Sequence, residues 1–425
     1  MAKMLMVKML MAKIKRTLAG GVALSLSLAI MSCGGGGGGG AAPSSPVVPV
    51  TPAANVVAVV VDAGPDSATN PTANTLYTTV TVCVPGSVTE CQTIDHIQVD
   101  TGSYGLRILA PVLTLSLPVV MASDGNSLVE CTQFVDGYSW GPVAYADVQV
   151  SDELAGNVPI QVIGASNVPT PPADCLNKGT AENTVAAFGA NGILGIGVFE
   201  QDCGPGCADN LMNGYYYSCT TAVCANIAAP LASQVLNPVP KFPTDNNGTI
   251  LVLPSVTAPG ATTVAGSLIF GIDTQTNNAS GSQTVLNVDT IYGDFTTTFN
   301  GQTLTQSFLD SGTNGLYFND TAFEASSACA DPNFSGFYCP ASTQTFNATL
   351  TGANNTAKAV TFTVGNAQAL ATDNPTFTVF PTLAGTFSTS PNSFDWGLPF
   401  FYGRRVATAI ENRATAVGTG PYVAF

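Results

Sequence analysis

From Asn55 onward, apolar and polar positions alternate, or give way to continuous β-branched runs, in short stretches set apart by glycine, proline and asparagine. That rhythm predicts strand, turn, strand. Leu76 to Val82 and Ile94 to Val99 are β-type runs, and Val84-Pro85-Gly86-Ser87 lies between them as a turn. The later half repeats the arrangement with Phe295 to Phe299, the turn signal Asn300-Gly301, and Thr303 to Leu309. Short helices are expected only around Ala228 to Val235 and at Phe400 to Val406. Thr, Val, Ser, Gly, Asn and Pro dominate and charged residues are sparse, which places the chain in the all-β class. Its 425 residues are long for one core and suggest two lobes.

Each half carries a near-copy of one motif at the end of its second strand. Asp100-Thr101-Gly102-Ser103-Tyr104-Gly105-Leu106 returns as Asp310-Ser311-Gly312-Thr313-Asn314-Gly315-Leu316. Chance alone supplies about 0.2 copies of Asp-Ser/Thr-Gly in a chain of this length, so two copies in matched surroundings are a strong signal. The echo continues downstream, where Gly192-Ile193-Leu194-Gly195-Ile196-Gly197 follows the first aspartate about as far as Phe394-Asp395-Trp396-Gly397-Leu398 follows the second. An internal duplication is the economical reading, with its boundary in Pro238-Val239-Pro240-Lys241-Phe242-Pro243. The segments are then 1–32, 33–54, 55–237 and 238–425.

The first two segments stand outside the fold. Lys3, Lys8, Lys13, Lys15 and Arg16 precede an apolar stretch from Leu18 to Met31, the layout of a secretory signal. The stretch ends at Ile30-Met31-Ser32-Cys33, which resembles a bacterial lipobox, with Cys33 as the lipidated new N-terminus. The glycine run Gly34 to Gly40 and the prolines that follow read as a flexible tether. Gly34 after the cysteine resembles lipoproteins sent to the outer membrane. The expected location is therefore the envelope of a Gram-negative bacterium, with the membrane engaged through the N-terminal lipid.

Loss of those five basic residues leaves seven Lys/Arg against 27 Asp/Glu. Such a balance argues against nucleic acid as a partner, since phosphate binding needs basic surface. Ten cysteines remain beside Cys33, an even number suited to disulfides in an oxidising compartment. Cys83 and Cys91 could bridge their hairpin, Cys329 and Cys339 would close a small loop, and Cys203, Cys207, Cys219 and Cys224 crowd one region. With those stapled, Cys131 and Cys175 pair by elimination. A zinc site is the competing reading of the four-cysteine cluster, and its spacings favour stapling. His96, the single histidine, reads as a strand-face residue.

At these residues the chain resembles the pepsin-like aspartic proteases over about Asn55 to Phe425, and as a whole it resembles Gly-tethered proteobacterial lipoproteins. The resemblance implies a bilobal fold, two related β-barrel-like lobes with a cleft between them. Gly192-Ile193-Leu194-Gly195 is similar to the family's segment behind the first aspartate, and Trp396-Gly397 to its second copy. Gly266 to Asp273 resembles the opening of the second lobe, and Leu398 to Tyr402 its last helix. By the same resemblance Asp100 and Asp310 are the catalytic pair. Thr101 and Ser311 lock the two loops together, Gly102 and Gly312 allow close approach, and Ser103 and Thr313 bond the outer carboxylate oxygens. Two carboxylates about 3 Å apart cannot both ionise cheaply, so they share a proton and can activate water.

Phe134 to Gly141 aligns with the family's flap hairpin, making Phe134, Gly137, Tyr138 and Trp140 candidate flap and substrate-binding residues. The family carries a tyrosine at Phe134 and commonly a tryptophan at Arg107, so both members of a hydrogen-bonded pair differ. Tyr138, Trp140 or Tyr104 is then expected over the cleft, or the flap no longer closes on peptide. Arg107 is either a surface residue or a cation near the cleft that lowers carboxylate pKa values. The expected function is a monomeric, membrane-tethered aspartic endopeptidase acting on a peptide or protein substrate, with no cofactor and no metal. The alternative is a catalytically inactive pepsin-like binding module of the cell envelope.

Overall fold

A computed structural model of the chain describes residues 53–66, 69–135, 137–209, 211, 214–387 and 390–425. The signal-like segment, Cys33 and the glycine tether lie outside the described residues. Among the described residues, no helix is long and apolar enough to cross a membrane.

The first part of the chain runs through β1 (Val56–Val61), β2 (Leu76–Cys83), β3 (Cys91–Asp100), β4 (Tyr104–Leu109), β5 (Ser127–Gln133), β6 (Gly137–Val150), β7 (Glu153–Ile163), β8 (Thr180–Ala181), β9 (Gly192–Ile196), β10 (Tyr216–Cys219) and β11 (Cys224–Asn226). The second part continues with β12 (Gly248–Val252), β13 (Val264–Phe270), β14 (Val285–Asn287), β15 (Phe295–Phe299), β16 (Gln302–Leu309), β17 (Leu316–Phe318), β18 (Gln344–Thr351), β19 (Ala357–Val364), β20 (Ala384–Gly385), β21 (Phe394–Trp396), β22 (Arg405–Ala409), β23 (Ala414–Thr415), β24 (Gly418–Thr419) and β25 (Tyr422–Ala424). The four strands expected from the hydrophobic pattern are β2, β3, β15 and β16. Asn300 and Gly301 both take positive φ (47° and 77°), the left-handed pair that a tight hairpin demands.

The N-terminal lobe follows the order β11-β10-β5-β6-β7-β4-β9-β3-β2, and a further β6–β2 pairing curls it toward a barrel. The sheet then passes through β1 into β13-β12-β22-β25-β14, strands contributed by the second half. Strand β1 therefore bonds β2 on one side and β13 on the other, and ties the two halves into one continuous sheet. The C-terminal lobe is a seven-stranded sheet in the order β19-β18-β15-β16-β21-β17-β20.

The duplication seen in the motifs is also a duplication of topology. Strand β3 runs parallel to β9, which pairs antiparallel with β4. Strand β16 runs parallel to β21, which pairs antiparallel with β17. Each aspartate thus leaves one outer strand of a three-strand unit, and the chain returns along the other. The cores differ in composition. Aliphatic side chains such as Val80, Ile97, Leu106, Val148 and Ile160 fill the first lobe, whereas Phe299, Phe318, Phe362, Phe394 and Trp396 form a ring cluster in the second. Buried aromatics carry large apolar area, so this cluster is a main stabilising element of its lobe.

All five disulfides involve described residues: Cys83–Cys91, Cys131–Cys175, Cys203–Cys207, Cys219–Cys224 and Cys329–Cys339. The four-cysteine region is therefore two staples. Two expectations are corrected. Around Ala228 to Val235 there is only a 3-10 turn at Leu231–Ser233, entered from Pro230. The Phe400 to Val406 stretch holds the end of another such turn, Leu398–Phe400, and then the start of β22. Neither turn extends into a helix: Gln234 is extended (φ −74°, ψ 148°) after the first, and β22 begins at Arg405 after the second.

Candidate active site

Strands β3 and β16 deliver Asp100 and Asp310 to one point between the lobes. Each carboxylate is first held by its own loop: the Gly102 N–H donates to Asp100 Oδ1 at 2.7 Å, and the Gly312 N–H to Asp310 Oδ1 at 2.7 Å. The loops then hold each other. The Thr101 N–H donates to Ser311 Oγ (3.1 Å), and the Ser311 N–H to Thr101 Oγ1 (2.9 Å). Each hydroxyl passes its own proton across to the opposite strand, Thr101 Oγ1 to Leu309 O at 3.1 Å and Ser311 Oγ to Val99 O at 2.9 Å. A hydroxyl suits this position because it accepts and donates at once.

The glycines show how near the two carboxylates lie. A Cβ on Gly102 would stand 2.6 Å from the Asp310 carboxyl, and one on Gly312 would stand 2.7 Å from that of Asp100. Each loop thus leaves out a side chain where the opposite acid sits. Gln98 adds a further bond across the site, its Nε2 donating to Gly312 O at 2.8 Å.

Symmetry ends at the next residue. Thr313 Oγ1 donates to Asp310 Oδ2 at 2.9 Å. Among the described residues, no N–H or O–H of another residue bonds Asp100 Oδ2, and the hydroxyl of Ser103 has no partner of hydrogen-bonding geometry. Ser103 still lies close enough to favour the ionised form of Asp100, and the remaining partner of Asp100 is Asp310 itself, through a shared proton.

Both acids are fully buried. Burial raises the pKa of Asp100, opposed by its bond to Asp310, by Ser103, by the Gly102 N–H and by the charge of Arg107. Burial also raises Asp310, well above the usual carboxylate range, and the charges of Asp100 and then Asp395 push it further, with Thr313 opposing. The pair therefore holds one proton between its two acids, with the stronger upward push on Asp310.

Two features near the pair were not anticipated from the sequence. The first is the setting of Arg107, whose charge does lower the pKa of Asp100 as one of the two expectations had it, but whose side chain is neither on the surface nor open to a cleft. It is fully buried, its Nη2 within 2.6 Å of Glu130 Oε1 and 3.0 Å of Asp202 Oδ2, its Nε donating to Thr132 Oγ1, and its Nη1 to Tyr104 O. Tyr216 donates to Asp202 Oδ1 at 2.8 Å. The second is Asp395, fully buried in β21. The available signal was an acid inside the aromatic run Phe394-Asp395-Trp396.

The hairpin β5–β6 turns at Phe134 to Gly137, where the flap was expected, but its side chains lie elsewhere. Tyr138 and Trp140 are corrected as cleft residues. They pack with Tyr217 and the Cys131–Cys175 bridge, and Trp140 Nε1 donates to Pro169 O at 2.9 Å. Strand β8 lies alongside Gly137 and Tyr138, and the Glu182 N–H bonds Tyr138 O at 2.8 Å. Phe134 is buried against Phe188, and Val135 at the tip packs on the aromatic cluster of the C-terminal lobe around Phe308 and Phe387. Tyr104 does not reach over a cleft either. It is buried with its ring edge-on to Phe199. His96 lies at a bulge of β3 with positive φ (49°), its ring beside Asp62 and Asp95.

A pair of lobes built on one repeated unit, with an aspartate loop from each meeting at the centre, defines the pepsin-like all-β fold. The crystal structure of an aspartic proteinase from Irpex lacteus superposes on 88% of this chain and 96% of its own, with a TM-score of 0.51 and 16% sequence identity. Residues 51–425 match the family described as a protein of unknown function (DUF3443), and the chain belongs to that family. No curated protein matches it in sequence.

Proposed function

We propose that this protein is a membrane-tethered aspartic endopeptidase that hydrolyses peptide bonds in a chain lying between its two lobes. The observation that carries the reading is the aspartate pair: two fully buried carboxyls, held by reciprocal Thr101–Ser311 bonds, with one biased to carry a proton and the other a charge. Asp100, as the base, takes a proton from a water, whose oxygen adds to the peptide carbonyl carbon. Asp310 gives its proton to the carbonyl oxygen. The C–N bond then breaks as the amine nitrogen takes a proton from Asp100 and a hydroxyl of the tetrahedral intermediate returns one to Asp310, which restores the pair and leaves a carboxyl product. The Cys33 lipid and glycine tether hold the domain at the envelope membrane, as the lipobox-like sequence suggests.

The alternative is a binding module of the same fold without turnover. It is favoured by the hairpin, which is strapped by β8 and the Cys131–Cys175 bridge. The test is cleavage of an unbiased peptide mixture by the chain beginning near Ala53, run from pH 3 to 7, with Asp310→Asn and pepstatin as controls. Cleavage that disappears with both controls is the expected result. A folded, disulfide-intact protein that cuts nothing at any of these pH values would favour the binding module instead.

A further inference from the structure

Strand β21 carries an acid where its counterpart in the other lobe carries none. In the first unit Gln98 faces Ile193 and Asp100 faces Gly195. In the second, Phe308 faces Asp395 and Leu309 faces Trp396. Asp395 therefore takes the place of Ile193. Phe394 and Trp396 stack with ring centroids 3.9 Å apart on one face of β21. Alternation along the strand turns Asp395 to the opposite face, shared with its strand neighbours Phe308 and Tyr317. It is fully buried there, and the Asp310 N–H bonds Trp396 O, the next residue, at 3.1 Å.

We propose that Asp395 is a positioning residue of the aspartate pair, a third buried carboxyl that keeps the shared proton on Asp310 and so leaves Asp100 as the base. The inference rests on the reading of Asp100 and Asp310 as the reacting pair. A buried negative charge beside Asp310 disfavours a second one, and Asp395 does raise Asp310, after burial and Asp100. Asp310 is faced by Asp100 and Tyr104 from the first lobe, by Asp395 from β21, and by Thr313 from its own loop. Beside Asp395 stand Asp310 and, from β17, Tyr317, whose hydroxyl donates to Asn314 Oδ1 at 2.7 Å. Asp100 instead feels the cation Arg107, with Glu130 and Asp202 behind it, while Tyr104 also stands in the field of Asp294 and Glu411.

The test is a titration of the full chain carrying aspartate labelled with 13C at Cγ, with the Asp310 signal assigned by its loss in Asp310→Asn. In Asp395→Asn the Asp310 midpoint is expected to fall by about one pH unit or more, and Asp395→Glu is expected to restore it. If Asp395→Asn does not fold, Asp395→Leu, which installs an apolar side chain like that of Ile193, carries the same measurement. An unmoved or raised midpoint in a folded, charge-free variant overturns the proposal. Peptide cleavage is followed separately. A wild-type chain that cuts nothing but shows the midpoint shift defeats the hydrolase reading alone, whereas cleavage with an unmoved midpoint defeats the role of Asp395 alone.

Discussion

The two lobes bring the same loop to the same point but surround it with different buried charged groups. On the first side the strand after the aspartate loop carries Arg107, a buried cation clasped by Glu130 and Asp202. On the second side the strand behind the aspartate carries Asp395, a buried acid in an aromatic lobe. A pair of identical carboxyls in identical settings would share its proton evenly. Here Arg107 draws charge onto Asp100 and Asp395 drives it off Asp310. The duplication supplies the geometry, and departures from it supply the division of labour.

The comparison is broken most forcefully at Arg107. Arg107→Met leaves two buried carboxyls without their cation, and removing one member of a buried ion cluster costs about 3–5 kcal/mol. Chemical denaturation should show that loss, and adding Glu130→Gln and Asp202→Asn should recover much of it. The opposite lobe should respond with the opposite sign. Asp395→Leu removes a buried acid beside Asp310 and fills its place with apolar volume, so a gain of about 1–2 kcal/mol at neutral pH is expected by the same measurement. Loss from both variants would mean that the two charges are merely packed parts of their lobes.

The glycines come next in size. Gly102→Ala and Gly312→Ala each drive a methyl against the opposite carboxyl. Overpacking of this kind costs about 1–3 kcal/mol, and the two variants should lose equal stability, because this contact is symmetric. Proteolytic activity, if present in the parent, should vanish in both.

The pH dependence of stability sharpens the same asymmetry. The folded-state pKa of Asp310 lies above its unfolded value, so between the two the native state binds more protons and stability falls as pH rises. Glu153, raised to about 7 by burial and by Asp245, works in the same direction. Melting temperatures should therefore be highest near pH 4 and decline toward pH 7. Asp310, fully buried, contributes up to about 1.4 kcal/mol per pH unit within its window, and the more solvent-screened Glu153 contributes less. Asp310→Asn should flatten the decline, and a flat wild-type profile would contradict the raised Asp310.

Much of this architecture was legible along the chain. Strands β2, β3, β15 and β16 announce themselves by β-branched runs, the Asn300-Gly301 turn by its dipeptide, and the aspartate pair by repeated Asp-Ser/Thr-Gly. All of these are local signals. What failed was non-local. The hairpin tip falls at the expected residues, yet the burial of Tyr138 and Trp140 depends on the segment from Pro169 to Glu182 folding over it. The setting of Arg107 depends on Glu130 and Asp202, which are 23 and 95 residues away. Asp395 was visible as a residue, but only the register of β21 against β16 reveals that it stands where the other lobe has Ile193.

The smallest expected effect isolates the difference between the loops themselves. Ser103 and Thr313 occupy matching places three residues after their aspartates, and both carry a hydroxyl that could serve the outer oxygen. Only Thr313 makes that bond, at 2.9 Å to Asp310 Oδ2. Thr313→Val keeps the shape and removes a buried donor, so it should cost about 1–2 kcal/mol and raise the Asp310 midpoint, since the lost bond favoured the ionised form. Ser103→Ala removes a hydroxyl that is already without a partner of good geometry, so its cost should stay within about 0.5 kcal/mol. Paired denaturation curves for the two variants decide the matter. Equal losses would mean that Ser103 turns to bond Asp100 in solution, and that the inequality of the two aspartates comes from Arg107 and Asp395 alone.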